Sequence, residues 1–300
     1  MTDLTIAIVS YNAREELAQC LESIYASTRL PAFEVIVTDN ASTDGTLEML
    51  AARFPQVRVI ASPENLGFGG AGNLCWREAK SSLVLFLNSD TVVSDRALDR
   101  LVEVARARPE AGAIGPRLRY GDGEIQMSYG AMPGVVSELV QKLWNTGYAR
   151  GKGPLRRAVS KRYERERTVD WVSGACLLTR RDILETVSGF DENFFLYSED
   201  VDLCARIRAT GARILFTPEV EIVHLLGRSV AKNRDRVIYE SHRSRLYFYG
   251  KHRSFLEVML LRAYMLTKAG TLSLLRPRDR ALYGRILNLA RAGSDAESNF

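Results

Sequence analysis

Short apolar runs alternate with amphipathic stretches through the first third of the chain. Leu4 to Val9 is largely apolar, and Glu15 to Ala26 follows with Leu17, Leu21, Ile24 and Tyr25 at helical spacing. The apolar run recurs at Phe33 to Thr38, Val57 to Ala61 and Leu83 to Leu87. The helical pattern recurs at Thr46 to Arg53, Phe68 to Lys80 and Arg96 to Arg106. This order predicts βαβ units and an α/β fold whose mostly parallel central sheet is flanked by helices. Ligands of such sheets bind beyond the carboxyl ends of the strands. The polar residues at those ends are Ser10-Tyr11-Asn12, Asp39-Asn40 and Asn88-Ser89-Asp90.

The alternation breaks after Pro116, and Glu124 to Arg167 shows weak periodicity. Within it Gly147 to Arg167 is dense in Arg, Lys and Gly and reads as a mobile basic loop. Order resumes at Val169 to Thr179. Ile183 to Val187 and Asp200 to Ala209 read as helices, Arg213 to Phe216 as a strand, and Glu221 to Leu226 ends the core. Beyond Ser229 the pattern is helical to about Arg291. These limits predict a catalytic unit over 1–228 and a helical extension over 229–300.

Charge sharpens that division. From Arg228 onward 15 Lys and Arg stand against 6 Asp and Glu, whereas the whole chain is only +5. A basic tail suits anionic lipid or phosphate. Zinc spacings and aromatic RNA-binding signatures are missing, which argues against nucleic acid as a partner. Phe255 to Leu275 is apolar but interrupted by Glu257, Arg262 and Lys268. It reads as a helix lying on an anionic membrane surface, or packing on the core or on a second subunit in a homodimer, rather than one that spans. Cys20, Cys75, Cys176 and Cys204 form no CxxC pair, and no signal peptide precedes the first strand. Both features predict reduced thiols in a cytoplasmic protein.

The densest chemistry lies in Phe194-Phe195-Leu196-Tyr197-Ser198-Glu199-Asp200-Val201-Asp202. Adjacent acids opening a helix, behind an aromatic run, are placed to act as a general base. Asp39 ends an apolar strand, where a carboxylate can accept from a ribose or a base N–H, while Ser42, Thr43 and Asp44 suit turn and capping roles. Asp90 can supply the one carboxylate that a divalent cation beside a diphosphate needs. His224, near the end of an apolar strand, reads on its own as a satisfied core residue. Gly67-Phe68-Gly69-Gly70-Ala71-Gly72 matches the letters of a dinucleotide fingerprint, which leaves a nicotinamide oxidoreductase as an alternative. It follows the third strand instead of the first, so the glycines read better as allowing a ligand close to a helix N-terminus.

With these residues in hand the chain resembles family 2 glycosyltransferases of GT-A fold, in particular their rhamnosyltransferase-like branch. The likeness covers roughly residues 4–252. It rests on TIAIVSYNARE, VIVTDNASTDGT, ENLGFGGAGN, LVLFLNSD, the stretch from Trp171 to Gly211, and VHLLGRS. It implies a nucleotide-diphosphate sugar donor, a divalent metal, Mg or Mn, and inverting transfer to a glycan or a polyprenyl-diphosphate-linked acceptor. By resemblance Asp200 is the base, beside Glu199. Ser10, Tyr11, Asn12, Asp39, Asn65, Gly67, Asn88 and Asp90 bind the donor. Asp90 and His224 hold the metal, and Trp171, Gly174, Phe195 and Tyr197 line the acceptor and sugar pocket. Asn88 departs from the family's paired acids and leaves one carboxylate fewer for the metal. That departure also raises the alternative of a non-catalytic nucleotide- or glycan-binding scaffold, against which the intact Glu199-Asp200 pair argues.

Overall fold

The computed structural model describes residues 3–149, 153–225 and 234–293. Its first part runs β1 (Leu4–Ser10), α1 (Arg14–Ser27), β2 (Phe33–Asp39), α2 (Thr46–Arg53), β3 (Arg58–Ala61), α3 (Gly67–Arg77) and β4 (Leu83–Asn88). β3, β2, β1 and β4 pair in parallel in that order, with Ser10 opposite Asp39 and Val9 opposite Asn88. Ile6, Ile8, Val35, Val37, Leu85 and Leu87 enter one core cluster, and Ala7, Ile36, Val84 and Phe86 the other. Side chains alternate across a strand, so burial on both faces demands near-continuous apolar sequence. That is the pattern read from the chain.

Beyond β4 the sheet is mixed. There follow β5 (Thr91–Val93), α4 (Ala97–Ala107), β6 (Ala111–Arg119), β7 (Ile125–Gln126), β8 (Tyr129–Gly130), α5 (Val135–Ala149), α6 (Pro154–Arg162), β9 (Arg167–Val169), β10 (Trp171–Val172) and β11 (Cys176–Arg180). Then come α7 (Arg181–Val187), α8 (Glu199–Ala209) and β12 (Arg213–His224). β11 lies antiparallel between β4 and β6, and β12 pairs β6 in parallel and β5 antiparallel. The sequence pattern missed β6, which contains two glycines and a proline. A Cβ on Gly115 would meet Val172, and one on Gly112 would meet Ile207 and Ala212, so both positions serve close approach. Pro116 faces Thr217, where the register with β12 shifts and relaxes the ladder.

The segment expected to be a mobile basic loop contains the end of α5, all of α6 and the start of β9. One of its charges is spent locally: Glu124 accepts from Arg156, and also from the Tyr148 hydroxyl. Tyr148, Val159 and Tyr163 are buried beside Tyr129 and Phe216. Their wide spacing hides an apolar face among arginines.

The extension forms α9 (Arg234–His252), α10 (Phe255–Leu275) and α11 (Arg280–Ala292). A Ser254–Glu257 capping box starts α10. A third core cluster joins Leu246, Phe248, Tyr249, Leu261, Met265 and Ile286 of these helices to Phe194 and Val201. The extension is therefore packed on the segment that carries the acids. Against the expectation that no segment would qualify as a span, α10 is long and apolar enough by length and composition, with mean hydropathy 1.2. Yet Leu261, Met265 and Ala269 are buried in that cluster, and Arg262 donates to the Ala290 carbonyl at 2.7 Å. The four cysteines are buried and unbridged.

Candidate active site

The ends of β1, β4 and β12 and the start of α8 surround a cavity of about 360 Å³. Of the expected donor residues Tyr11, Asn65, Gly67, Asn88 and Asp90 line it. So do Gly174, Phe195, Tyr197, Glu199, Asp200 and His224. Ser10, Asn12, Asp39 and Trp171 are not part of its wall.

Two of these four still face a ligand-sized need. Ser10 and Asp39 are paired across β1 and β2, and both are buried. Asp39 Oδ2 accepts from the Ser42 N–H at 3.1 Å, but Asp39 Oδ1 and Ser10 Oγ have no protein partner among the described residues. Buried acceptors are normally satisfied, so an external donor such as a nucleotide hydroxyl or base N–H fits there. Asn12 instead organises a turn. Its N–H donates to Ser42 Oγ at 2.9 Å, its Oδ1 accepts from the Thr43 N–H at 2.8 Å, and its φ is 50°. Trp171 is spent on its own ribbon: its indole donates to the Ala131 carbonyl at 2.9 Å and covers Gly130.

The glycine run is a packing surface as well as part of the cavity wall. Gly67, at φ +73°, lies against the Phe195 carbonyl, which also accepts from the Phe68 N–H at 3.1 Å. Gly69 and Gly72 abut Phe190. Asn73 of the same helix bonds both the N–H and the carbonyl of Phe190 at 2.9 Å. Small residues here let α3 press against the chain leading to the acids. Asn40 and Asn65 clamp the entry, Asn40 donating to Asn65 Oδ1 at 2.9 Å.

At the end of β4, Asp90 Oδ1 lies 3.0 Å from His224 Nε2. Strand pairing of Thr91 with His224 makes that approach. His224 Nδ1 lies 3.0 Å from Gln126 Oε1, which can only accept, so Nδ1 carries a proton and Nε2 is the ring atom that faces Asp90 and, at 3.2 Å, the Asn88 amide. Asn88 can donate to that nitrogen, which a carboxylate could not. No three His, Cys, Asp or Glu side chains converge as a metal group among the described residues. Asp90 and His224 fit a cation that takes its remaining ligands from phosphate oxygens and water.

The second centre is the start of α8. Tyr197 and Ser198 precede it at φ 67° and 68°, a left-handed pair of non-glycine residues that turns the first helical side chains inward. Asp200 Oδ2 accepts from the Gly174 N–H and Oδ1 from the Val201 N–H, both at 2.8 Å. Burial raises the Asp200 pKa, and those backbone donors oppose the rise. Glu199 is more deeply buried, and its Oε2 has no partner among the described residues. Burial first, and then the neighbouring Asp200 charge, pushes its pKa up to about 8. The pair therefore holds a proton more strongly than free carboxyls would, and the two backbone N–H donors on Asp200 favour that side chain as the one that carries the charge.

α8 is also the dock for the extension. Asp202, wholly buried, meets His252 Nε2 at 2.7 Å, Lys251 Nζ at 2.8 Å and Arg206 Nε at 2.7 Å. Burial raises its pKa, but the hydrogen bonds from His252, Lys251 and Arg206 and the charge of Arg206 more than offset that and leave it lowered. Ser244 Oγ donates to the Leu196 carbonyl at 2.8 Å. From α9 too comes Arg236, which lines the cavity with its guanidinium 4.4 Å over the Phe195 ring and its buried Nε unpartnered among the described residues. Sequence reading missed Arg236 and Gln126. The first was one arginine of many in a basic tail, and the second lies in a two-residue strand without periodicity.

Residues 5–188 match the family described as Glycosyl transferase family 2. The chain belongs to that family. This glycosyltransferase is 31% identical to N-acetylglucosaminyl-diphospho-decaprenol L-rhamnosyltransferase of Mycobacterium tuberculosis, over 83% of this chain and 84% of that one. It is 25% identical to rhamnosyltransferase WbbL of Escherichia coli, over 73% of this chain and 82% of that one. Among solved structures it resembles a mannosyltransferase of Pyrobaculum calidifontis, determined in complex with GDP-Man and Mn²⁺. The TM-score is 0.59 at 19% identity, covering 99% of this chain and 76% of that one. The likeness in architecture identifies the GT-A fold, and the rhamnosyltransferase relatives place the chain in that branch of the family.

Proposed function

We propose that this glycosyltransferase moves rhamnose from a nucleotide-diphosphate donor, with inversion, to a hydroxyl of a lipid-linked saccharide in cell-envelope polysaccharide synthesis. The observation that carries the reading is the pairing of two centres on one cavity: Asp90 with His224, and Asp200 with Glu199. Asp90 and His224 would hold the divalent ion, Mg or Mn, which on a bound diphosphate neutralises the leaving group as a Lewis acid. Asp200 takes the proton of the acceptor hydroxyl as its oxygen attacks the anomeric carbon and the nucleoside diphosphate departs. The backbone N–H donors on Asp200 favour the charge there rather than on Glu199. Asp39 and Ser10 offer their unpaired oxygens to the nucleotide, and Arg236 brings a cation to the cavity from α9. Rhamnose and the polyprenyl-diphosphate acceptor are favoured by the named relatives, and that acceptor places the enzyme at the cytoplasmic membrane face.

The test is a donor screen read as nucleoside-diphosphate release, with deoxythymidine-diphosphate-rhamnose against UDP sugars, with and without Mg²⁺ or Mn²⁺. Rhamnose-donor turnover that chelation abolishes is expected. Thermal protection by NAD or NADP but by no nucleotide sugar would favour the oxidoreductase reading instead.

A further inference from the structure

Among the described residues, eleven of the fifteen large apolar side chains that stand exposed lie on just two helices, α5 and α10. Val136, Leu139 and Leu143 on α5 are 74%, 60% and 69% exposed, and Phe255 and Leu256 on α10 are 80% and 67% exposed. Such clustering marks an interaction surface, because isolated exposed apolar residues need no explanation and contiguous ones do. Between these helices and α6 lies a groove of about 790 Å³, larger than the catalytic cavity. Val136, Val140 and Trp144 form one side and Leu260 the other, with Tyr129 and Gly130 at its base.

Two further observations select the occupant. Arg162 and Arg253 stand in the groove wall, Arg162 with its guanidinium 5.2 Å from the centre of the Trp144 ring. The wall's one carboxylate, Glu257, is bonded to the Ser254 hydroxyl at 3.0 Å in the cap of α10. An apolar trough with cations at its wall suits a molecule that is both greasy and anionic. The groove and the catalytic cavity adjoin: Met127 lines the first and its chain neighbour Gln126 the second. Tyr129, at the groove, also pairs with Val172, two residues before Gly174, which lines the catalytic cavity and donates to Asp200. A lipid chain leaving an acceptor sugar in the cavity therefore has an apolar groove close by.

We infer that the groove binds the isoprenoid-diphosphate part of the lipid-linked acceptor, while the exposed flanks of α5 and α10 rest in the anionic lipid surface from which it is drawn. This deepens the proposed function and rests on its lipid-linked acceptor. It assigns a lipid-binding role to α5, which lies more than a hundred residues before α10 in the chain.

The experiment compares two acceptors carrying the same saccharide diphosphate, one on a long polyprenyl chain in vesicles containing phosphatidylglycerol and one on a short, water-soluble alkyl chain. Val140→Glu and Leu260→Glu, alone and together, place charge on the two sides of the groove. A rise of about tenfold or more in KM for the long-chain acceptor is expected, with KM and kcat for the short-chain acceptor unchanged. The exposed pair Leu139→Glu with Leu143→Glu should reduce co-sedimentation with the vesicles. Turnover of the short-chain acceptor confirms that each variant is folded. Equal effects on the two acceptors, or no effect on either, would overturn the inference. So would a dimer in light scattering that the substitutions dissolve while lipid binding stays intact, since the groove would then be a subunit interface. If the unaltered protein releases nucleoside diphosphate with the short-chain acceptor but gains nothing from the long chain, the groove assignment fails while the transferase reading stands. If no acceptor supports release, the transferase reading itself fails.

Discussion

The two acidic centres of this glycosyltransferase are built on opposite principles. Asp90 sits at a strand end beside an imidazole, 19% exposed, where a soluble anion and cation can reach it. Glu199 and Asp200 open a helix behind aromatic side chains, and Asp200 takes backbone donors. On the proposed reading the first centre gathers charge from solution. The second sits where charge is costly, which raises the affinity of the pair for a proton and suits the role of base. Carboxylates of one protein thus take two tasks on that reading, and the difference lies in their surroundings.

Substitution at each centre should separate those tasks. Asp200→Asn should lower kcat by roughly 10²–10⁴-fold and leave donor affinity, measured by calorimetry, within a few-fold. Near-normal turnover would remove Asp200 as the base. Asp90→Ala should lower donor affinity by about a hundredfold and abolish its response to Mg²⁺ or Mn²⁺. Unchanged metal dependence would show that the two centres do not divide the work as described. Gln126→Ala frees the far side of the imidazole and should weaken metal-dependent donor binding by about tenfold, with little change in a metal-free titration.

A separate effect is on stability. The Glu199 pKa is raised from 4.5 in the unfolded chain to about 8, so the folded state binds the extra proton. Its contribution is fully present below about pH 4.5 and is lost as pH rises through about 8. Denaturant unfolding should reveal that decline in the parent, and Glu199→Gln should flatten it. Equal slopes in the two proteins would mean that Glu199 is ionised in the fold.

The donor half was legible because parallel strands buried on both faces must be continuously apolar, and the helix over Thr46–Arg53 falls where its periodicity put it. Asp90, Asp200 and His224, which the structure brings to one cavity, stood out in the sequence because each lies at or beside the end of a regular element. Legibility failed where local pattern and tertiary need part company. β6 needs Gly112 and Gly115 for close packing, so its sequence imitates a turn. α6 buries Val159 and neighbours Tyr163, yet its run of arginines imitates a loop. Gln126 and Arg236 gain their places only when distant segments meet. Trp171 carried the right chemistry for a sugar platform, but its indole is committed to Ala131.

The buried contacts of Asp202 with Lys251 and His252 bear on how this protein can be taken apart. A catalytic unit and a separate anchor could be exchanged between relatives like interchangeable parts. Here the helix that presents the base is fastened to α9 two residues further on, and α9 supplies Arg236 to the cavity. A chimaera that swaps the tail at residue 228 would inherit a mismatched socket, with Asp202 enclosed and two of its cationic partners replaced. Grafts that carry residues 191–252 as one block keep the socket and its plug together, and that block is the natural unit for engineering a new acceptor.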